Sequence, residues 1–513
     1  MHLCKLIGDT LPHQPEATMH HDNIGRATMW KVAPKWLWLA IIAGSLTGWL
    51  FPFTFQRQEP WGVFFRGEPR GLPLSPRERL YQLNTDQVFG WIPLIQNFPF
   101  LYSRDPFRIS RPAYPGSASA LCRLSQLIVG NPRSGAVKPE RNPLYRSPRY
   151  EQWREHVIAR AGKIGCEHAQ ARASGVVLNW ILFVWSAVMF YRILRAWNVA
   201  ARVDTLSAAH YALSPFILFH LLDVSTNLIA FPIAVAALWI FTRLAQRPDD
   251  TGWNSRPLIY GLGLGALMLG KVQYDVLCVG WLALSYLRRW GAMFISFASH
   301  LVPLLAWIGL ITLLGLTYYS PEITEYRQGV WLFEEFMQWP LWFHHVAAYT
   351  VDYMFALLAA FGPVTLFFVI FGLHRLIAEN MWKTLALVGL ALLINWLFVL
   401  AIREPDALHV GEVFFVVYPV ASLGVTIVAQ RFSARIQQLV LILYLASAVG
   451  LQWAFMYLPI DSGVHGALNV DIMAMIRSLW TTRMELFSNL ILICAVMVLL
   501  MIWMRSGRDR VKA

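Results

Sequence analysis

Charged residues are scarce in this chain. Asp, Glu, Lys and Arg make up only 14% of its 513 residues, whereas soluble domains contain about a quarter. Hydrophobic residues account for 57%, and several segments exceed the ~18 apolar residues that mark a membrane-spanning helix. The composition excludes an ordinary soluble domain and predicts an all-α polytopic membrane protein.

Two further signals are missing. No nucleic-acid-binding motif occurs, although the net charge is +13 and the pI about 9.6. Most cationic residues flank apolar segments or fill one loop, so membrane topology and phosphate-rich lipids explain them without a nucleic-acid partner. The first 30 residues lack the apolar core of a secretory signal. Residues 1–35 are therefore expected to be a cytoplasmic tail, with Met19 or Met29 as alternative starts.

Cysteine is also rare, with five in the chain. Cys278 and Cys494 fall inside apolar segments and are expected to be inert core residues. Cys122 and Cys166 lie in one long polar loop and pair only if that loop faces an oxidising compartment. Spacing alone leaves the pairing open.

The apolar segments predict about 12 transmembrane helices. The first is Trp36–Phe55, and residues 56–174 then form a long loop rich in Arg. Residues 36–505 are expected to be one membrane domain, followed by a cytoplasmic tail at 506–513. The later helices are predicted near 175–194, 205–221, 226–243, 258–287 (two helices), 291–317, 346–373, 382–402, 412–430, 436–458 and 486–504.

The apolar run 258–287 is too long for one untilted span and carries Lys271, Gln273 and Asp275 in its middle. Two short helices joined by a KVQYD turn fit both its length and its charges. A lysine in this position is costly unless it is paired. Asp275 is the obvious partner at i+4, and a lipid phosphate is the alternative.

The short loops predict the orientation. With the N-terminus inside, the inner loops and the C-terminal tail contain 16 Lys and Arg residues, and the short outer loops contain five. Cytoplasmic loops carry the excess of cations, so the long first loop is expected outside. The outer set then includes Lys271, Asp275, Arg403 and Glu412, which favours a site on that face.

The long loop holds the first candidate site residues. Asp86 precedes an aromatic run that is expected to lie in the membrane interface. It suits a general base acting on a hydroxyl, or it caps the helix that follows. Arg108 and Arg111 are suited to bind phosphate oxygens, or they anchor the loop to lipid headgroups.

Later outer segments supply further candidates. His220, Asp223 and Asn227 are spaced to lie on one helical face and to line a polar cavity. The segment REPDALHVGE, residues 403–412, contains Arg403 and His409. It is either a solvated loop or a contributor to a pocket opposite Lys271.

The chain resembles the GT-C superfamily of membrane glycosyltransferases. Asp86 matches the acid that these enzymes carry early in the first outer loop. Arg111–Pro112–Ala113–Tyr114–Pro115 matches an Arg-Pro-Leu-Tyr-Pro-like box before the next helix. A Leu-Ser-Pro pattern followed by Asp223 and the Gly-rich GLGLGALMLGK hairpin are also similar, although many relatives have Arg in place of Lys271.

The resemblance implies transfer of a sugar, with inversion, from a polyprenyl-phosphate or polyprenyl-diphosphate donor at the outer face. Asp86 would be the base, and Lys271 or Arg403 would hold the donor phosphate. Arg108, Arg111, Tyr114, Asp223 and His409 complete the expected substrate-binding set. No Asp-X-Asp or Glu-X-Asp pair surrounds Asp86, so no metal ligands are assigned and a divalent cation remains an option.

Three functions are therefore compared. The leading hypothesis is an inverting glycosyltransferase in a bacterial inner membrane, whose acceptor is a lipid-linked or cell-envelope glycan. A polymerase or ligase of lipid-linked polysaccharide usually has its large outer loop late in the chain, whereas here it comes first. A transporter predicts midplane charges and internal repeats, and no such repeat is seen.

Overall fold

The computed structural model describes nine main stretches of the chain, and a few isolated positions that include 166 and 224. All regular elements within the described residues are helical, which confirms the all-α class. The described stretches are residues 34–50, 91–98, 111–129, 168–197, 201–221, 228–246, 255–315, 330–402 and 407–457.

The helices follow one another with short connections wherever consecutive elements are described. Those before residue 250 are α1 Lys35–Leu50, α2 Ile92–Asn97, α3 Ala113–Val129, α4 His168–Ala196, α5 Ala201–Leu213, α6 Pro215–Leu218 with a 3-10 turn at Phe219–Leu221, and α7 Ala230–Ala245. The later ones are α8 Ser255–Met268, α9 Tyr274–Tyr286, α10 Trp290–Leu313, α11 Val330–Glu334, α12 Trp339–Ala378, α13 Trp382–Ile402, α14 Ala407–Gly411, α15 Phe414–Ala429 and α16 Ala434–Tyr457.

Four described helical segments are long and apolar enough to cross a membrane: Ala169–Ala196, Trp290–Leu313, Ala360–Ala378 and Trp382–Ile402. Large apolar side chains on α10 remain exposed, among them Leu305 at 61%. Lipid is the solvent in which such a surface is stable. These features indicate a membrane protein. The count of 12 helices stays a prediction, and the expected last span, 486–504, lies outside the described residues.

The core of the bundle is built around α5, α7 and α15. Thirteen of the 16 residues of α7 are buried, because other helices surround it. Aromatic rings fill the centre, with Tyr211 and Phe414 5.0 Å apart and Phe216 and Phe231 5.2 Å apart between ring centroids. This packing fixes where the ends of the surrounding helices meet.

The run 258–287 folds as two short helices, as its length and charges predicted. Helix α8 ends at Met268, residues 271–273 are not helical, and α9 begins at Tyr274. Lys271 therefore lies in a turn between two apolar helices.

Close packing of α8 on α10 depends on glycine. A Cβ atom at Gly265 would overlap the carbonyl oxygen of His300 and crowd Pro303, whereas a Cβ at Gly263 would meet only Ile240, at 3.9 Å. Small residues at a membrane helix interface let two backbones approach each other. The Gly-rich sequence of α8 thus sets the position of the turn that carries Lys271.

Gly265→Ala is expected to lower the melting temperature of the purified protein, because the methyl group meets backbone that has no room to move. Overpacking of this kind typically costs about 1–3 kcal/mol. Gly263→Ala is the matched control. It is expected to leave the melting temperature unchanged or to raise it, since alanine favours a helix over glycine by about 1 kcal/mol. Equal effects of the two substitutions would contradict this description of the interface.

Candidate functional site

A buried ion pair joins two distant parts of the chain. Lys271 Nζ lies 2.8 Å from Glu412 Oε1, and the two side chains are only 4% and 3% exposed. Lys271 lies between α8 and α9, and Glu412 follows α14 directly. Burying two charges is costly unless they are paired, so this pair fixes how the two segments meet.

The prediction that Asp275 pairs with Lys271 was wrong. Two residues at i and i+4 face each other only along a continuous helix, and residues 271–273 are not helical. The Asp275 Oδ1 atom instead accepts a hydrogen bond of 2.8 Å from the backbone N–H of Val276. The segment 403–412 was expected to lie opposite Lys271, and its last residue, Glu412, is the actual partner.

Two more polar side chains are buried in the segment that follows Lys271. Asp275 is 3% exposed, and Gln273 is completely buried. Among the described residues, neither amide atom of Gln273 has a hydrogen-bond partner, nor does Asp275 Oδ2. Most buried polar groups in proteins are hydrogen-bonded. The segment 273–275 therefore holds buried hydrogen-bonding capacity that no described residue uses.

The position of Glu412 is fixed by the turn around α14. The side-chain amide of Asn395 donates to the carbonyl oxygen of His409 at 2.9 Å, and the Tyr353 hydroxyl donates to Asn395 Oδ1 at 3.0 Å. Gly411 packs directly against the Phe216 ring. His409 was predicted to bind substrate, and in the structure its backbone carbonyl helps to hold the segment that carries Glu412.

The segment Arg111–Pro115, called the Arg-Pro box below, lies against residues 269–273, which carry Lys271 and are called the lysine turn. The backbone N–H of Ala113 donates to the carbonyl oxygen of Leu269 at 3.4 Å. The next residue, Tyr114, is fully buried, and its hydroxyl donates to Asn179 Oδ1 at 3.0 Å. Arg111 is partly exposed at the start of this segment. The box therefore lies against the turn that leads to Lys271, two residues after Leu269.

Tyr114 also belongs to a second chain of contacts. Asn179, which accepts from its hydroxyl, donates to the carbonyl oxygens of His220 and Leu221 at 3.3 and 3.4 Å. The prediction that His220, Asp223 and Asn227 share one helical face requires a continuous helix from His220 onward. That prediction is wrong, because the 3-10 turn ends at Leu221 and Val224 is not helical. Tyr114 thus links the box to the turn before Asp223.

A disulfide joins Cys122 in α3 to Cys166, which lies just before α4. The two Cα atoms are 6.4 Å apart, within the usual range. Gln96 and Cys166 exchange two hydrogen bonds of 3.2 and 3.3 Å, which adds α2 to the same unit. The aromatic run after Asp86 was expected to lie in the membrane interface, and its depth in a membrane stays a prediction. The described side chains of Trp91–Ile95 are packed into the core with Tyr114.

Loss of this disulfide is expected to destabilise the loop. In the chain-entropy description, closing a loop across 44 residues stabilises the folded state by about 4 kcal/mol. Protein is extracted from cells and unfolded in denaturant that contains iodoacetamide, which alkylates free thiols. It should carry two fewer alkyl groups than protein that is reduced before alkylation. Cys122→Ser should abolish that difference and lower the melting temperature. Two thiols that are alkylated without reduction would contradict the pairing.

Half of the predicted site residues can be placed. Lys271, Arg111, Tyr114 and His409 belong to segments that meet around the lysine turn, as described above. Sequence reasoning missed Glu412 as the partner of Lys271 and missed Asn179 as the partner of Tyr114. Asp86, Arg108, Asp223 and Arg403 lie outside the described residues, so their roles stay predictions.

The opposite end of the bundle has a different character. Arg195 lies 3.4 Å from the buried carboxylate of Asp204, between α4 and α5. Lys383 Nζ lies 4.4 Å from the centre of the Tyr286 ring. Each contact ties neighbouring helix ends together, and the cations are exposed. They are structural contacts and supply a useful comparison for Lys271.

Neither a search for metal-binding groups nor a comparison with known proteins assigns a function to this site. In the part of the chain that the structure describes, no group of three or more His, Cys, Asp or Glu side chains is arranged to hold a metal. Protein-family models, curated proteins and solved structures were all compared with this chain, and none matches it.

Proposed function

We propose that this protein is an inverting membrane glycosyltransferase. It moves a sugar from a polyprenyl-phosphate or polyprenyl-diphosphate donor to a lipid-linked or cell-envelope acceptor. The observation that carries the proposal is that the segment after Arg111 lies against the turn that leads to the buried Lys271. Two cations suited to bind phosphate, Lys271 and Arg111, thus come from segments that are in contact.

The chemistry of a lipid-linked donor fits this setting. Its phosphate is anionic, and its isoprenoid chain is apolar. A cation at the end of apolar helices satisfies both parts of such a molecule, because the charge meets Lys271 while the chain remains in lipid. Arg111 presents a planar guanidinium group that binds phosphate oxygens at two points. Arg108 and Arg403 are proposed to add to the same positive surface.

Asp86 is proposed as the general base, by resemblance to the GT-C enzymes. Its carboxylate takes the proton of the acceptor hydroxyl while that oxygen attacks the anomeric carbon of the sugar. The bond from that carbon to the donor phosphate oxygen breaks, and the lipid phosphate leaves with the bonding electrons. A single displacement of this type inverts the anomeric centre. Tyr114, Asp223 and His409 are proposed to line the sugar and acceptor positions.

The disulfide supports an outer-face site. Disulfides persist in oxidising compartments and are rare in the cytosol, and Cys122 and Cys166 lie in the predicted first outer loop. The excess of Lys and Arg in the opposite loops gives the same orientation. We therefore propose a multi-pass protein of a bacterial inner membrane whose reaction takes place at the periplasmic surface.

Removal of the protein from its cell tests this function. Loss of one sugar from an envelope glycan or lipid, with accumulation of the unglycosylated acceptor, is the expected result. A change in glycan chain length without loss of a sugar would favour a polymerase or ligase of lipid-linked polysaccharide. Accumulation of an unchanged lipid-linked sugar on the cytoplasmic side would favour a transporter.

A further inference from the structure

The Glu412 carboxylate occupies the place that an anionic ligand of Lys271 would take. Its Oε1 atom is 2.8 Å from Nζ, and both side chains are almost completely buried. An ammonium group donates up to three hydrogen bonds, but space around a buried one is limited. A phosphate that binds Nζ at this depth therefore has to compete with Glu412.

The charges of the ion pair strengthen that competition. In the ion pair, Lys271 contributes one positive charge and Glu412 contributes one negative charge. A phosphate placed beside the pair would face the Glu412 carboxylate, and like charges brought together without water repel strongly. The phosphate is stable on Lys271 only when Glu412 has moved off Nζ.

Gln273 offers the hydrogen bonds that a sugar requires. It lies two residues after Lys271 and is completely buried. Its Nε2 and Oε1 atoms have no partner among the described residues. An amide supplies both donors and an acceptor, and a sugar hydroxyl can use either. The side chain is thus suited to contact a sugar attached to the phosphate on Lys271.

We propose that the donor phosphate exchanges with Glu412 on Lys271 Nζ while Gln273 binds the attached sugar. The inference rests on the proposed function. Exchange also explains how product leaves: transfer converts the phosphodiester of a monophosphate donor into a phosphomonoester, which carries up to one more negative charge. The product is then repelled more strongly by the returning Glu412. Glu412 weakens lipid-phosphate binding and speeds release.

The first test measures binding of sugar-free polyprenyl phosphate to purified protein in lipid nanodiscs. Glu412→Gln keeps the shape of the side chain and removes its charge. It is expected to bind at least about tenfold more tightly (about 1.4 kcal/mol), because the like charge that faces the phosphate is removed. Asp204→Asn neutralises a buried acid of the Arg195 pair and is expected to bind as wild type does. Unchanged or weaker binding by Glu412→Gln would overturn the exchange.

The second test compares ligands. Wild-type protein is expected to bind a polyprenyl-phosphate sugar more tightly than the sugar-free lipid, because Gln273 contacts the sugar. The Gln273→Met variant is expected to bind the sugar-free lipid as wild type does and to lose that difference between the two ligands. Equal loss for both ligands would overturn the sugar contact. Phosphatidylglycerol and inorganic phosphate serve as other phosphate sources, and binding of either as tightly as polyprenyl phosphate would contradict a donor site.

These outcomes separate the inference from the proposed function. Sugar transfer by the wild-type protein, combined with unchanged binding by Glu412→Gln, defeats the exchange alone. Absence of both polyprenyl-phosphate binding and sugar transfer in folded wild-type protein defeats the proposed function as well. Each variant is first required to elute as a single species at the wild-type position in gel filtration.

Discussion

Replacing Lys271 with Met is expected to abolish use of the lipid-phosphate donor. The substitution removes the ammonium group from the turn between α8 and α9 and replaces it with an apolar side chain of similar length. It also leaves Glu412 buried without its partner, and breaking a buried pair in this way typically costs about 3–5 kcal/mol. Loss of activity in this single variant therefore has two causes, a missing phosphate contact and a destabilised fold.

The double variant Lys271→Met/Glu412→Gln separates the two causes. It removes both charges, so most of the lost stability should return, and its melting temperature should exceed that of the single variant. Donor binding should be at least tenfold weaker than in the single variant Glu412→Gln, which has the same neutral residue at position 412, since a charged hydrogen bond contributes about 1.5–3 kcal/mol. Recovery of donor binding together with stability would show that Lys271 has a structural role only.

Asp86→Asn is expected to abolish sugar transfer while leaving the amount of protein in the membrane unchanged. An amide has nearly the size of the carboxylate but cannot accept the proton of the acceptor hydroxyl. General-base catalysis typically contributes about 10²–10⁴-fold, so the rate should fall by at least two orders of magnitude. Initial rates of transfer at saturating donor provide the measurement.

Asp105→Asn is the control for Asp86, because Asp105 is another acid of the same loop with no assigned role. It should transfer sugar at close to the wild-type rate. Near-normal transfer by Asp86→Asn would remove Asp86 from the base assignment. An equal loss in both variants would point to a general sensitivity of the loop to its charge.

Two features of the fold were accessible from sequence. The break in the run 258–287 followed from its length and from Lys271, Gln273 and Asp275 in the middle, since a membrane-spanning helix tolerates few such residues. The prediction that Lys271 and Glu412 lie on the same side of the membrane followed from the number of spans between them. Periodicity, length and charge are properties of a few residues or of one helix, so they can be read from a single sequence.

The pairings across the bundle were not accessible in the same way. Glu412 meets Lys271 because α14 is held against Phe216 and Asn395, and neither contact leaves a local pattern. Asp275 was the obvious partner only because it is close in sequence. The Cys122–Cys166 disulfide depends on how α3 and α4 pack, which spacing does not reveal. Long-range contacts are decided by packing of whole helices.

The segment Trp91–Ile95 shows a further limit. Its aromatic and aliphatic residues predicted a position in the membrane interface but not the partners of the side chains, which pack against Tyr114 and the rest of the core. An apolar side chain is stable both in lipid and in a protein interior, so composition alone does not distinguish them. The hydrogen bonds between Gln96 and Cys166 are what tie this segment to the disulfide.

The most direct measurement is turnover of a defined donor by purified protein in proteoliposomes. A polyprenyl-phosphate sugar labelled in the sugar is supplied together with an extract of envelope acceptors, and chromatography follows both lipid and label. The account predicts release of sugar-free polyprenyl phosphate in equal amount to the label that enters acceptor, with the new glycosidic bond inverted. Donor that stays intact with folded wild-type protein, or label that crosses the bilayer still attached to its lipid, would contradict it.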